Sequence, residues 1–150
     1  MQKTKGFTAG ELIVSLAIMF VVAGIVMSAF INFRKTQSLS IDTETVIEVL
    51  RQARNQTLSS KNSTVYGVHL TAPKITLFTG ATYSSGASTN QDYNLSSTDT
   101  ILTISLNGGG SDVIFQRLSG VTAQNGTVIV SSPGLSQTKT ITIYKTGLIE

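Results

Sequence analysis

A few residues in this 150-residue chain have the types and spacing to do chemistry. Glu11 stands directly against the uncharged apolar run Leu12–Ile31, LIVSLAIMFVVAGIVMSAFI. A carboxylate moved into apolar surroundings is costly unless something pairs with it. A bland interfacial glutamate is one reading of Glu11 standing alone. His69 is the single histidine. It lies between Val68 and Leu70 with no second ligand cluster and reads as a surface or half-buried packing residue. Asp92, Asp99 and Asp112 border loops. Loop oxygens of this kind can hold calcium, but the spacing is unlike an EF-hand, so no metal site is expected. No serine sits in a nucleophile-elbow pattern, and three loop acids do not make an acid–base pair without geometry. Asn107-Gly108-Gly109-Gly110-Ser111 lacks the lysine and following helix of a phosphate loop. The chain reads as non-enzymatic, with no cofactor.

The apolar run decides what positions Glu11. About 20 helical residues cross the hydrocarbon layer of a bilayer, and Leu12–Ile31 has that length. Gly24, Ser15 and Ser28 are small enough for close helix contact. Lys3 and Lys5 precede the run and favour a cytoplasmic N-terminus with the remainder exported; Arg34 and Lys35 weaken that bias without reversing it. A cleaved secretory signal would have a shorter apolar core followed by a small-residue site. A simple single-pass anchor fits the length but leaves Glu11 unexplained.

The string Lys5-Gly6-Phe7-Thr8, then Glu11, then the apolar helix resembles the class III signal of type IV prepilins. The resemblance covers positions 5 to 33. It implies a leader over residues 1–6, cut after Gly6 on the cytoplasmic side by a prepilin peptidase that then N-methylates Phe7. It places the family's glutamate at Glu11. Gly6 carries no side chain, so a protease can hold its backbone closely. Cleavage creates an amine on Phe7 that Glu11 can compensate, within its own chain or on a neighbour. An ion pair in apolar surroundings penalises wrong register more than it stabilises, so Glu11 is assigned to assembly. Ala9 and Gly10 depart from the bulky aliphatics usual before the glutamate, and Gly10 lowers helix propensity by about 1 kcal/mol. The resemblance further implies other pilin or pseudopilin subunits, an assembly ATPase, an inner-membrane platform and membrane lipid as partners. The implied location is the bacterial inner membrane, single-pass, and then a pilus or pseudopilus.

Past Arg34 the helical pattern continues. Leu39, Val46 and Ala53 recur every seven residues, with Thr43, Leu50 and Thr57 beside them, which is an amphipathic stripe. Asp42, Glu44, Glu48, Arg51 and Lys61 are expected on the opposite side, with Glu48–Arg51 as an ion pair. The reading is one helix from about Phe7 to about Ser60, with Ser38–Ser40 as the place for any kink: residues 7–33 in lipid or a filament core, residues 34–62 packed on a sheet. The stripe calls for the chain's own sheet as its cover.

Residues 63–150 read as an exported β-rich domain. Strands are expected at Val65–Leu70, Lys74–Phe78, Ile101–Leu106, Val113–Leu118, Val128–Val130 and Thr140–Tyr144. Turns are expected at Ala72-Pro73, Asn107–Ser111 (a hairpin link), Asn125-Gly126 and Pro133-Gly134. Gly80–Asn94 is expected to be a long surface loop. The fold class is therefore α+β: a long N-terminal transmembrane and amphipathic helix packed on an antiparallel sheet or two-sheet domain. The layout of Ala53-Arg54, Val113-Ile114-Phe115, a short valine strand and Ile141-Thr142-Ile143-Tyr144 closing on Gly147 is similar to the H-type minor pseudopilins of type II secretion and related fimbrial biogenesis proteins.

Charged residues make up 13% of the chain, and its net charge of +3 falls nearly to neutrality without Lys3 and Lys5. That balance argues poorly for nucleic acid. A DNA-binding minor pilin is the alternative carried by Arg117, Lys139 and Lys145, which would have to share one face, with Lys74 elsewhere. A membrane-tethered binding or adhesin domain without an assembly role is the other. The absence of cysteine excludes disulfides and thiolate metal sites.

Overall fold

The computed structural model describes residues 6–150, so Lys3 and Lys5 lie outside the described residues. Two compact units are present, the first ending at Arg34 and the second running over Lys35–Glu150. Helix α1 spans Ala9–Leu58, close to the bounds the periodicity predicts. α1 runs unbroken through Ser38–Ser40. Leu39 is buried there, and Ser38 directs its hydroxyl to Asp99.

Within the first unit every described side chain is exposed. Among the described residues α1 contains the one stretch long and apolar enough to cross a membrane, and none of that stretch is buried inside the protein. Water tolerates scattered apolar side chains but not a continuous sleeve of them. The chain is a helix-plus-sheet protein with a single apolar anchor helix near its N-terminus.

In the second unit, α1 buries Leu39, Asp42, Val46, Val49, Leu50, Ala53 and Thr57. Their spacing of three and four residues is the core-facing stripe of an amphipathic helix. Asp42 is thus inside, where the charge pattern had placed it on the solvent side. A short 3-10 turn, Lys61–Ser63, leads into the strands.

The strands are β1 (Tyr66–Thr71), β2 (Lys74–Thr79), β3 (Gln91–Asn94), β4 (Thr100–Leu106), β5 (Asp112–Ile114), β6 (Gly126–Ser131) and β7 (Thr138–Ile143). They form two sheets, ordered β3-β2-β1-β5 and β4-β6-β7, with every pairing antiparallel. Tyr66, Val68, Leu70, Ile75, Leu77 and Val113 of the first sheet share one core with Val128, Val130, Ile141 and Ile143 of the second and with the α1 stripe.

Three expectations are corrected. Gly80–Asn94 is not all loop, because Gln91–Asn94 pairs with β2 as an edge strand; a polar edge strand carries little hydrophobic signal. The Asn107–Ser111 run is not a hairpin link, because β4 and β5 belong to different sheets and the glycines carry the chain between them. The strand expected at Val113–Leu118 ends early: Phe115 makes an isolated bridge to Thr122, and Leu118 turns out at φ 66°. Leu102, which alternates in sequence with Ile104 and Leu106, is 60% exposed, because a register shift between Ile101 and Thr103 breaks the alternation there.

The outer face of the first sheet carries its own small cluster. Phe78 is buried, and Tyr83 packs edge-on to it with centroids 5.6 Å apart. Gly67 makes the room, since a Cβ there would lie 2.5 Å from Phe78 Cζ.

Candidate functional site

The segment Gly6-Phe7-Thr8 leads into α1 with Phe7 87% exposed. Thr8 is the N-cap. Its Oγ1 accepts from the Glu11 backbone N–H at 3.3 Å, while Glu11 Oε2 accepts from the Thr8 backbone N–H and from its hydroxyl, each at 2.9 Å. This is a capping box, in which two orphan donors of the first turn are satisfied reciprocally. The first helical bond, Leu12 N–H to Thr8 O, follows at 3.2 Å. Sequence reasoning missed this role for Glu11, although Thr8-x-x-Glu11 ahead of an apolar run is its signature. The cap also answers the concern over Gly10, because reciprocal capping fixes a first turn that glycine alone would loosen. Further along, Ser15 Oγ donates to Glu11 O at 2.7 Å and Ser28 Oγ to Gly24 O at 3.0 Å, so neither hydroxyl is left unsatisfied in this apolar stretch.

The arrangement holds one carboxylate at the start of an exposed apolar helix, one turn from the peptide bond between Gly6 and Phe7. Phe7 and Leu12 occupy the two positions of a hydrophobic staple, yet Phe7 is not packed down, and its peptide bond stands in the open. No family model, curated protein or solved structure matches the chain.

The other candidate residues are dispersed. Asp92 pairs with Lys74 and accepts from Thr76 Oγ1 at 2.6 Å. The bond from Lys74, then that from Thr76, holds the Asp92 carboxyl below the usual aspartate range, and the same contact with Asp92 raises Lys74. Asp112 faces His69 across β1 and β5, at 2.5 Å from Nδ1. His69 Nε2 meets Thr71 Oγ1 at 2.8 Å, and its ring stacks on Tyr83 with centroids 3.9 Å apart. His69 is therefore half-buried, as expected, but as the centre of a polar network. Asp99 lies elsewhere, accepting from Ser38 Oγ at 2.8 Å. The three loop acids do not converge, and among the described residues no group of three or more acids and histidines gathers for a metal.

Of the cations named for DNA, Lys139 lies on β7 and Lys145 follows that strand. Lys139 pairs with Val130 near one end of β7, while Lys145 stands in the turn beyond the other end. Thr122 N–H donates to Lys145 O and Phe115 bridges Thr122, which places the Arg117 turn on the Lys145 side. Arg51 takes Glu44 at 3.7 Å as its acid, not Glu48.

Asp42 and Asp99 form a second acidic feature that sequence gave no sign of. They are 6% and 5% exposed. Ser96 N–H donates to Asp42 Oδ2 at 2.7 Å. Burial raises the Asp42 carboxyl; the Ser96 N–H opposes this, and a hydrogen bond with Asp99 and its charge add to the rise. An acid raised in the folded state contributes stability below its ordinary value of about 4, and that contribution is lost as pH climbs through the raised value. Asp42→Asn keeps an acceptor for Ser96, adds a donor for Asp99 and carries no charge. Its midpoint of thermal unfolding at neutral pH should rise by the equivalent of about 1 kcal/mol. The decline in stability from acid to neutral pH should flatten, and a lower midpoint with an unchanged pH profile would contradict this account.

Proposed function

We propose that the chain is a non-enzymatic structural subunit, a minor pilin or pseudopilin, of a type IV pilus or a type II secretion pseudopilus. It is processed after Gly6, N-methylated at Phe7 and held in the bacterial inner membrane by α1 before assembly. The observation that carries this reading is the Gly6-Phe7-Thr8…Glu11 string set at the mouth of an unburied, membrane-length helix, with Phe7 exposed and Glu11 held one turn away. A peptidase needs an accessible bond, and a filament core needs an apolar helix that its own domain leaves uncovered. The α+β second unit is consistent with an exported domain carried on such a helix.

On this reading Glu11 has two jobs, one in each state. In the single chain it caps the helix; in the assembly its charge answers a Phe7 amine. Prepilin peptidase, fellow subunits, the inner-membrane platform and lipid are the partners. The test is the intact mass and N-terminal residue of the membrane-extracted protein, made with and without a prepilin peptidase. A peptidase-dependent species starting at Phe7 and heavier by one methyl group is expected. A species that keeps Gly6 under both conditions would overturn the proposal and leave a membrane-tethered binding domain.

A further inference from the structure

A cleft of about 170 Å³ opens between α1 and the last turn of the chain, lined by Arg51, Arg54, Asn55, Gly147, Leu148 and Ile149. Its two guanidinium groups lie one helical turn apart and are each anchored by a backbone carbonyl. Arg51 Nη2 donates to Ile149 O at 3.2 Å, and Arg54 Nε donates to Gly120 O at 3.4 Å. Gly147 fits the turn closely to Arg54: at its φ of +79°, a Cβ would lie 2.7 Å from Arg54 Nε. Each guanidinium keeps further donors, because the fork has five. Among the described residues Arg54 has no carboxylate within ion-pair distance, and Arg51 has only the exposed Glu44 at 3.7 Å. An exposed pair of that length holds its members weakly.

Beside Asn55 and Gly147, two aliphatic side chains complete the lining. Leu148 is 49% exposed at its rim and Ile149 is buried behind it. Anchored guanidinium forks recognise planar oxyanions, and the leucine wall selects a ligand with an aliphatic group beside its charge. We propose that this cleft binds an aliphatic carboxylate, with Arg54 and Arg51 receiving the carboxylate and Leu148 covering the aliphatic group. Such a ligand comes from either of two sources, an apolar residue at a protein C-terminus or a free fatty acid. Inorganic phosphate has the charge without the aliphatic group and fits less well.

The experiment titrates the full chain in neutral detergent micelles while following the Arg54 Nε–H and the Leu148 amide by NMR. N-acetyl-leucine is expected to saturate both signals, and N-acetyl-leucinamide, which lacks the charge, to bind at least about tenfold more weakly. Arg54→Gln should weaken N-acetyl-leucine by at least about tenfold while the remaining amide spectrum is unchanged. Leu148→Ser should weaken N-acetyl-leucine severalfold and leave acetate unaffected, which separates loss of the apolar wall from loss of fold. Hexanoate added in a parallel arm identifies the source: tighter binding than N-acetyl-leucine favours a fatty acid, and weaker binding favours a peptide terminus. Equal binding of the amide and the acid, or phosphate binding as tightly as N-acetyl-leucine, overturns the proposal.

Discussion

In the proposed assembly, Glu11→Gln should leave the start of α1 intact and abolish incorporation into filaments, whereas Thr8→Ala should do the reverse. The contrast follows from the capping box. Glutamine at the third helical position serves it as well as glutamate, so the bonds from the Thr8 N–H and hydroxyl to Glu11 Oε2 have a direct substitute. What glutamine cannot supply is charge. If the Phe7 amine is enclosed among apolar helices as proposed, loss of the opposing carboxylate would leave a buried charge unpaired, at a cost of about 3–5 kcal/mol. That is a factor of a hundred or more in the assembly equilibrium. Thr8→Ala removes the cap, worth about 1 kcal/mol at a helix end already exposed to solvent, and keeps the carboxylate. Helicity of the purified chains in micelles and the fraction recovered in sheared filaments, or cross-linked to fellow subunits, measure the two effects separately. Assembly of Glu11→Gln at the parental level would reduce Glu11 to a helix cap and remove its part in the proposed function.

The N-terminal features were legible because they are local. The apolar length of Leu12–Ile31 and the spacing from Gly6 to Glu11 need no tertiary context. The stripe Leu39, Val46, Leu50 and Ala53 was legible for the same reason, since a 3.6-residue period survives in any surroundings. Features that depend on distant chain were not. Asp42 looks like a polar-face residue until the Ser96–Asp99 segment is laid over it, some fifty residues away in sequence. The glycine run after Leu106 has the composition of a hairpin, and nothing local says that the next strand joins the other sheet. Leu102 keeps the alternation of its neighbours in sequence, and only the pairing of β4 with β6 discloses the extra residue. His69 and Asp112 are brought together by the register of β1 on β5, which no spacing encodes. The one local signal overlooked, Thr8-x-x-Glu11, changes what the candidate site does before any partner arrives.

Leu50→Ala should cost the second unit about 2–5 kcal/mol, a large part of the stability of an ordinary domain. Leu50 is fully buried on α1 and belongs to the core shared with both sheets. Truncating it removes contacts that helix and sheets make together, and the regular backbone of α1 cannot shift to fill the gap without moving Val46 and Ala53, which are also fully buried. Leu12→Ala is the matched control: the same chemical change on the same helix, at a side chain 56% exposed in the single chain. Its effect on unfolding of the second unit should stay within about 0.5 kcal/mol. Denaturant unfolding of the full chain in micelles, followed by near-ultraviolet dichroism of its tyrosines, reads the second unit, because the described tyrosines all lie there. A loss below about 1 kcal/mol for Leu50→Ala would mean that the stripe is not held against the sheets in solution. If instead Leu12→Ala is silent in unfolding but lowers recovery in filaments, the two leucines divide α1 by what covers each part: the chain's own sheets at Leu50, and lipid or neighbouring subunits at Leu12.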